Sequence, residues 1–579
     1  MKENLINYLK KQDDFNNLDL DKLLQKPKVS SQGDLSLPMF ILAKKMNLSP
    51  QDLSKKFETK LNLEKPDFLE KIESIGPFLN FYFNTSIYIK SIFENIQSEN
   101  IFNIKIDNPQ KILIEFPSPN TNKALHIGHV RNMFLGNSIS NILEKVGHKV
   151  IRTNMNNNRG IAICKSMLSY KLFGDNSTPE SMKLKPDEFV SYYYVLYGKK
   201  NKESPELELD KKAQEMLVNW EAGEKETLNL WNKLQKWVMV GYKETYKNFK
   251  LKKFDKEYFE SEIYKKGKDL ILKEFNNKIE GFEKEDDGAI VFNFKDKTYG
   301  KKYLLRGDGT SLYITQDLYL ASLKEKEFSP DKSIFVVGQE QKYHFEVLFK
   351  ILDKIGFSKV DNNYHLAYGY VYDKNGKKFS SRLGNTLGAD ETLNLIIDAA
   401  KKNLIKKDIN NLLSKNEINK RSKIIGFSAL AFFFLKVNPK DDIKFDIDKA
   451  ISFEGETGPY VQYTYARIQS ILRKANFDFN KIDFNINYSL FGEKEINLIK
   501  ILNEYELNIL ETVKKYKISQ IANYLIKLSQ SFNDFYQNVN ILKSKNQEEK
   551  KARLILLYLV SLIIKDALSL YDIEVLDEM

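Results

Sequence analysis

The sequence predicts an α/β core on an open parallel sheet, preceded by a small α+β module and followed by an all-helical bundle. Three observations carry this reading. A short apolar strand at 111–116 passes through a polar turn at 120–122 into helical periodicity over about 126–146, and a second strand is expected at 148–153. Strand, loop and helix in that order form the usual nucleotide-binding layout of a parallel sheet. Upstream, helical spacing around 38–60 is followed by Phe78-Leu79-Asn80-Phe81-Tyr82-Phe83, whose alternation marks a half-buried strand. Beyond about 445 nearly every segment has helical spacing.

In order along the chain, the first module is expected at 1–90 and the α/β domain at 105–440. Charged amphipathic helices over about 176–285, with 207–251 the longest such stretch, read as a largely helical insertion into that domain. The α/β pattern is expected to return at 289–294, with a turn at Asp308-Gly309 and buried strands at 333–337 and 364–372. The helical bundle occupies 445–579.

Composition supports several cores. The chain has 579 residues, 42% of them hydrophobic, and roughly two to four domains are expected at that length. Lys and Arg number 90 against 78 Asp and Glu, leaving a net charge of +12. That excess suits a polyanionic partner and equally suits a soluble surface. Cys164 is the one cysteine, so no internal disulfide and no cysteine-rich zinc site can form. The start, Met1-Lys2-Glu3-Asn4, lacks an apolar signal core, and the runs 424–435 and 554–564 are too short to span a bilayer. A cytoplasmic protein with no membrane association is expected.

His126-Ile127-Gly128-His129 falls where the loop becomes a helix. A helix N-terminus offers unpaired N–H groups and partial positive charge to phosphates. Gly128 lets a ligand approach the backbone, and imidazoles three residues apart share one face and can donate to phosphate oxygens. Alone, such a tetrapeptide more often holds two satisfied surface histidines. Here two of the five histidines lie in one loop, and a second motif follows at Lys377-Lys378-Phe379-Ser380-Ser381-Arg382-Leu383-Gly384-Asn385. Small hydroxyl residues between cations, closed by Gly-Asn, suit a loop that grips a triphosphate; alone they also suit a solvated basic loop.

With both motifs in this order, the chain resembles the class I aminoacyl-tRNA synthetases, whose signatures are HIGH and KMSKS. The more local resemblance is to the arginyl branch. Glu115-Phe116-Pro117-Ser118-Pro119-Asn120-Thr121-Asn122-Lys123 looks like its arginine-binding strand and loop. Asn157-Asn158-Arg159-Gly160 is similar to its Asn-Asp-Arg-Gly segment, with Asn158 where Asp is usual. Trp220-Glu221-Ala222-Gly223, Leu312-Tyr313-Ile314-Thr315-Gln316-Asp317, Gly458-Pro459-Tyr460-Val461-Gln462-Tyr463 and the ending Ile573-Glu574-Val575-Leu576-Asp577-Glu578-Met579 also match. The resemblance covers nearly the whole chain and is thinnest at about 176–215.

The resemblance implies a Rossmann-type catalytic core, an N-terminal module that contacts tRNA, and a C-terminal anticodon-binding bundle. The implied reaction activates L-arginine with ATP to arginyl-adenylate, then transfers arginine to the terminal ribose of tRNA(Arg). Mg²⁺ would ride on the triphosphate, and no protein-bound structural metal is expected. Selecting arginine calls for a carboxylate that meets a planar guanidinium through two parallel hydrogen bonds, and Glu115 and Asp317 are the candidates. Tyr313, four residues before Asp317, would share its face on a helix. By resemblance Tyr313, Asp317 and Gln341 line the arginine pocket. Ser118, Asn120 and His129 hold the α-amino and carboxylate end, with Pro119 among the substrate-binding residues.

His126 and His129 are assigned to the transition-state phosphate oxygens and Lys378 to the β- and γ-phosphates, with Gly128, Ser380 and Ser381 on the ATP side. Ser381 stands where KMSKS has its second lysine. Arginyl enzymes often lack that lysine, and Lys123, just upstream of HIGH, stands where a substitute is thought to act. Tyr460, Tyr463 and Tyr465 beside Arg467 suit stacking on splayed anticodon bases, though each also suits a helix core. A monomer is expected, and the resemblance implies that activation requires tRNA. Three other readings share parts of the pattern: a class I synthetase for glutamate or lysine, a silent tRNA-binding relative, and a nucleotidyltransferase with a His-x-Gly-His loop.

Overall fold

The computed structural model describes every residue except Lys28, Ser30, Ser31, Lys378, 380–386, 408–412 and Asn480. The chain divides into two compact units. One comprises Met1–Asn103, Ile468–Glu506 and Gln530–Ile563; the other comprises Ile104–Arg467, Leu507–Ser529 and Ile564–Met579.

In the first unit, Leu35–Pro38, Phe78–Phe83 and Leu69–Ile75 form an antiparallel sheet with Phe78–Phe83 in the centre. The helix Pro50–Leu63 starts cleanly because Ser49 accepts the Asp52 N–H at 3.1 Å and Pro50 occupies its first position. It buries Leu53, Phe57 and Leu61, spaced four residues apart, in a core with Leu5, Leu9, Phe15, Leu79 and Phe81. Helical segments from late in the chain complete this unit. Phe93 packs edge-on against Tyr488 at 5.6 Å, and Lys500 pairs with Asp34 at 2.9 Å.

The second unit is built on five parallel strands: β1 (Lys111–Glu115), β2 (Lys149–Asn156), β3 (Lys256–Phe259), β4 (Lys332–Gly338) and β5 (Asn363–Tyr368). Their order in the sheet is β5-β4-β1-β2-β3. Ile112-Leu113-Ile114 and Ile334-Phe335-Val336 are apolar without alternation because the central strands are covered on both faces. The edge strand β3 is charged and lies within the stretch expected to be largely helical. Among the described residues it bonds to one neighbour only, so no apolar run was needed to bury it. The strands expected near 289–294 do not extend this sheet. Phe282–Lys284, Ile290–Asn293 and Lys301–Leu305 form a separate antiparallel sheet, because tight turns join them and a parallel pair needs a long crossover.

Chain order reverses between β1 and β4, so the crevice at their carboxyl ends is where such sheets bind ligands. The helix α1 (Ile127–Lys145) follows β1 and is buried almost all round. Its Arg131 is fully buried and donates to the carbonyls of Gly369 (2.7 Å), Pro439 (3.0 Å) and Asp441 (2.8 Å). Asn137 and Asn141 donate to the Asp572 carboxylate at 2.6 and 2.8 Å, so the end of the chain braces α1. Cys164 is buried, and burial pushes its thiol up to about 12. Among the described residues, no helix is long and apolar enough to cross a membrane.

Candidate active site

The loop from β1 to α1 and the first turn of α1 carry Ser118, Pro119, Asn120, Lys123, His126, Gly128 and His129. His126 is the N-cap of α1, and its Nδ1 accepts the Gly128 N–H at 3.1 Å. The His129 Nδ1 accepts the His126 N–H, also at 3.1 Å, and the two rings lie 4.0 Å apart. Each imidazole accepts at Nδ1, so in the neutral form its proton sits on Nε2. Burial, with Lys123 adding to it, lowers His126 to about 3; burial, then His126 and Lys123, holds His129 well below the usual range. Both rings are therefore neutral Nε2–H donors near neutral pH. Lys123 is close enough to act on both.

The backbone at the start of α1 differs from the expectation of unpaired N–H groups. The Ile127 N–H bonds to the Leu387 carbonyl at 3.0 Å and the His129 N–H to the His126 carbonyl at 2.7 Å. With the Gly128 N–H on His126, these donors are spent internally, and the imidazoles are what the helix end presents. A Cβ on Gly128 would stand 3.0 Å from the His126 ring, so glycine here keeps that ring in place. The Ala389 N–H bonds back to the Leu125 carbonyl at 2.9 Å, which brings the segment that follows the second motif beside the first. Lys378, Ser380 and Ser381 lie outside the described residues.

Between loop and sheet, Ser118 has a φ of 51°, and its N–H bonds to the Asn154 side-chain oxygen at 3.1 Å. The following Pro119 is buried, and Asn120 is exposed, with its carbonyl accepting the Tyr242 hydroxyl at 3.0 Å. Glu115, at the end of β1, is buried in an ion pair with Lys324. Burial lowers the Lys324 ammonium to about 7, with Glu327 opposing.

Across the crevice, the helix α2 (Tyr313–Phe328) puts Tyr313 and Asp317 on one face, as their spacing predicts. His344 Nε2 lies 2.6 Å from the Asp317 carboxylate, and its ring is 5.0 Å from that of Tyr313. Gln341 lies just past the end of β4, three residues before His344. Burial raises the Asp317 carboxyl, and His344 opposes the shift. Glu260, which follows β3, is raised to about 7 by burial, with Arg159 pulling it down and Asp317 pushing it up. Arg159 also pairs with Glu221 and lies over the Tyr264 ring at 4.0 Å. Two part-buried carboxylates, Asp317 raising Glu260, make a site that favours a cation, and a guanidinium can meet both.

Glu260, His344 and Lys324 were not anticipated. His344 had a signal, as one of five histidines in the sequence and close to Gln341. Glu260 and Lys324 had none, being single charges in charged stretches. Asn158, the departure from Asp, has a structural place: its side chain accepts the Ser261 N–H at 2.9 Å and donates to the Ser261 hydroxyl at 3.0 Å. On the helix Gly458–Lys474, Arg467 donates to the Tyr463 hydroxyl at 3.0 Å and lies over its ring at 4.6 Å. Tyr460 is half-buried one turn earlier.

The model of the catalytic domain of class I (R) tRNA synthetases matches residues 91–447. The arginyl-tRNA synthetase N-terminal domain matches 1–83 and the DALR anticodon binding domain 461–579. An arginine–tRNA ligase of Treponema denticola is 38% identical over 575 residues, covering 96% of this chain and 94% of that protein.

The chain belongs to the arginyl-tRNA synthetase family.

A family member from Borrelia duttonii, also an arginine–tRNA ligase, is 38% identical, with 97% of this chain and 96% of that protein covered. The fold agrees with that of the Thermus thermophilus arginyl-tRNA synthetase, with a TM-score of 0.82 and 23% identity over the whole of both chains. The Plasmodium falciparum arginyl-tRNA synthetase gives 0.77 at 21% identity, covering 99% of this chain and 98% of that one. The activity is ATP-dependent ligation of arginine to tRNA, by the two steps general to class I synthetases. The rival readings, a glutamyl or lysyl enzyme and an unrelated nucleotidyltransferase, are set aside.

Proposed function

We propose that this arginyl-tRNA synthetase divides its work between an ionised pocket for arginine and a neutral grip for phosphate. The observation that carries this is the pairing of Asp317 with His344 beside a Glu260 that the same carboxylate pushes up. Asp317 and Glu260 receive the guanidinium, flanked by Tyr313 and Gln341. Ser118, Pro119 and Asn120 line the amino-acid end, where Glu115 acts through the Ser118 hydroxyl, which donates to it at 3.3 Å. An arginine carboxylate oxygen then attacks the α-phosphorus of ATP, the bond to the β-phosphate bridge breaks, and pyrophosphate leaves.

His126 and His129 donate from Nε2 to the α-phosphate as its charge builds, and need no change of protonation to do so. Lys123 supplies the cation that Ser381 cannot, and Lys378, with Ser380 and Ser381, holds the β- and γ-phosphates. Mg²⁺ enters as part of the ATP substrate. In the second step a terminal ribose hydroxyl of tRNA(Arg) attacks the adenylate carbonyl and AMP leaves. Tyr460, Tyr463 and Arg467 contribute to tRNA binding: the stacked Tyr463–Arg467 pair offers a flat cationic surface to a base. The protein works as a monomer in the cytoplasm.

Arginine-dependent ATP–pyrophosphate exchange, run with and without tRNA against a panel of amino acids, tests this reading. Exchange with arginine alone, and only when tRNA is present, is the expected result. Comparable exchange with lysine or glutamate would overturn the pocket assignment.

A further inference from the structure

Both oxygens of the Glu115 carboxylate are engaged from within the protein. Lys324 reaches Oε2, and the Ser118 hydroxyl donates to Oε1 at 3.3 Å. Lys324 is 2% exposed and Glu115 8%, and the Lys324 Nζ lies 5.5 Å from the ring centroids of both Tyr258 and Phe335. An ammonium sealed by aromatic walls is stable only against an opposite charge in good geometry, so each partner fixes the other.

The pair joins the two sides of the amino-acid site. Lys324 lies seven residues after Asp317 on α2, two turns along and on the same face. At the other end is Ser118, whose φ of 51° is a conformation serine seldom adopts. A residue persists there when its surroundings over-determine it. Asn154 holds its N–H at 3.1 Å, the Asn157 side chain donates to its carbonyl at 3.3 Å, and Glu115 holds its hydroxyl.

We propose that Lys324 is a positioning residue for arginine: through Glu115 it sets the Ser118 hydroxyl at a fixed span from the guanidinium pocket on α2. Lys324 touches no substrate. A ligand read at both ends gains from a preset span, and a small misplacement of one end is felt as weaker binding of that ligand alone. The inference rests on the reading of Ser118 as part of the amino-acid end.

The test is tRNA-supported ATP–pyrophosphate exchange with the full-length protein and its K324M, K324R and S118A variants. K324M is expected to raise the arginine KM roughly tenfold or more while the ATP KM stays within about twofold, and K324R to recover most of the loss. If K324M does not fold, E115Q/K324M removes both buried charges and must show the same split. An unchanged arginine KM in the folded variant, or arginine and ATP KM values that rise together, overturns the proposal. A raised arginine KM in S118A with none in K324M overturns the positioning role alone. An unchanged value in both overturns the reading of Ser118 as well.

Discussion

On the side of the crevice proposed for the amino acid, ionisable groups are set against one another: Asp317 against His344, Glu260 against Arg159, Glu115 against Lys324. On the side proposed for the nucleotide stand two imidazoles held neutral by burial and locked by backbone N–H groups at Nδ1. The difference follows from what each ligand brings. A guanidinium carries a permanent charge, so its site must hold the opposite charge before the ligand arrives. The α-phosphate gains charge only during the reaction, so preset donors that do not titrate serve it best.

The largest effect that would sharpen this contrast is expected from Asp317→Asn. Removing the carboxylate that would meet the guanidinium costs about 2–5 kcal/mol, roughly thirty- to several-thousandfold in kcat/KM for arginine. Exchange kinetics should show the ATP KM almost untouched; a parallel rise would break the division. Next come His126→Ala, His129→Ala and Lys123→Ala, each expected to lower kcat about a hundredfold with little change in arginine KM. For Lys123, activity within a few-fold of wild type would return the missing-charge role to some other group.

A pH series separates the halves further. Glu260 is raised to about 7, so its charged form grows as pH rises through that value, and kcat/KM for arginine should rise with it. Glu260→Gln should remove the inflection. His126, at about 3 against an ordinary 6.5, contributes the opposite kind of signal. Between those values the unfolded chain binds a proton that the folded ring refuses, so stability should fall as pH falls through that window. Denaturant titrations across it, compared with His126→Asn, would read this directly. The smallest effect is expected from Asn158→Asp, about twofold or less in kcat/KM, because Asp can still accept the Ser261 N–H and hydroxyl. A large gain would mean that the departure from Asp had weakened catalysis.

The placements of several candidate residues were legible because their signals are local. Tyr313 and Asp317 share a face because they lie four residues apart on a helix, and His126 and His129 meet because they lie three apart. The central strands announced themselves as apolar runs. The edge strand Lys256–Phe259 did not, since one bonded neighbour and a charged composition leave no pattern to read. Glu260, at the end of that strand, was missed for the same reason. Glu115 was singled out in the sequence as a candidate carboxylate, yet its partner Lys324 lies far along the chain and carried no signal of its own.

By itself, then, the sequence determined the central strand–loop–helix unit and its apolar neighbours, the two signature loops and the kind of substrate they suit. These depend on spacing within a few residues, where helix and strand periodicity leave little choice. Tertiary structure alone decided which charges face each other: Glu260 with Asp317, Lys324 with Glu115, the chain terminus with α1. It also decided that Ile468–Glu506 and Gln530–Ile563 pack with the N-terminal module. Such pairings join residues far apart in sequence. Their energy comes from burial and mutual desolvation, which exist only once the chain has folded.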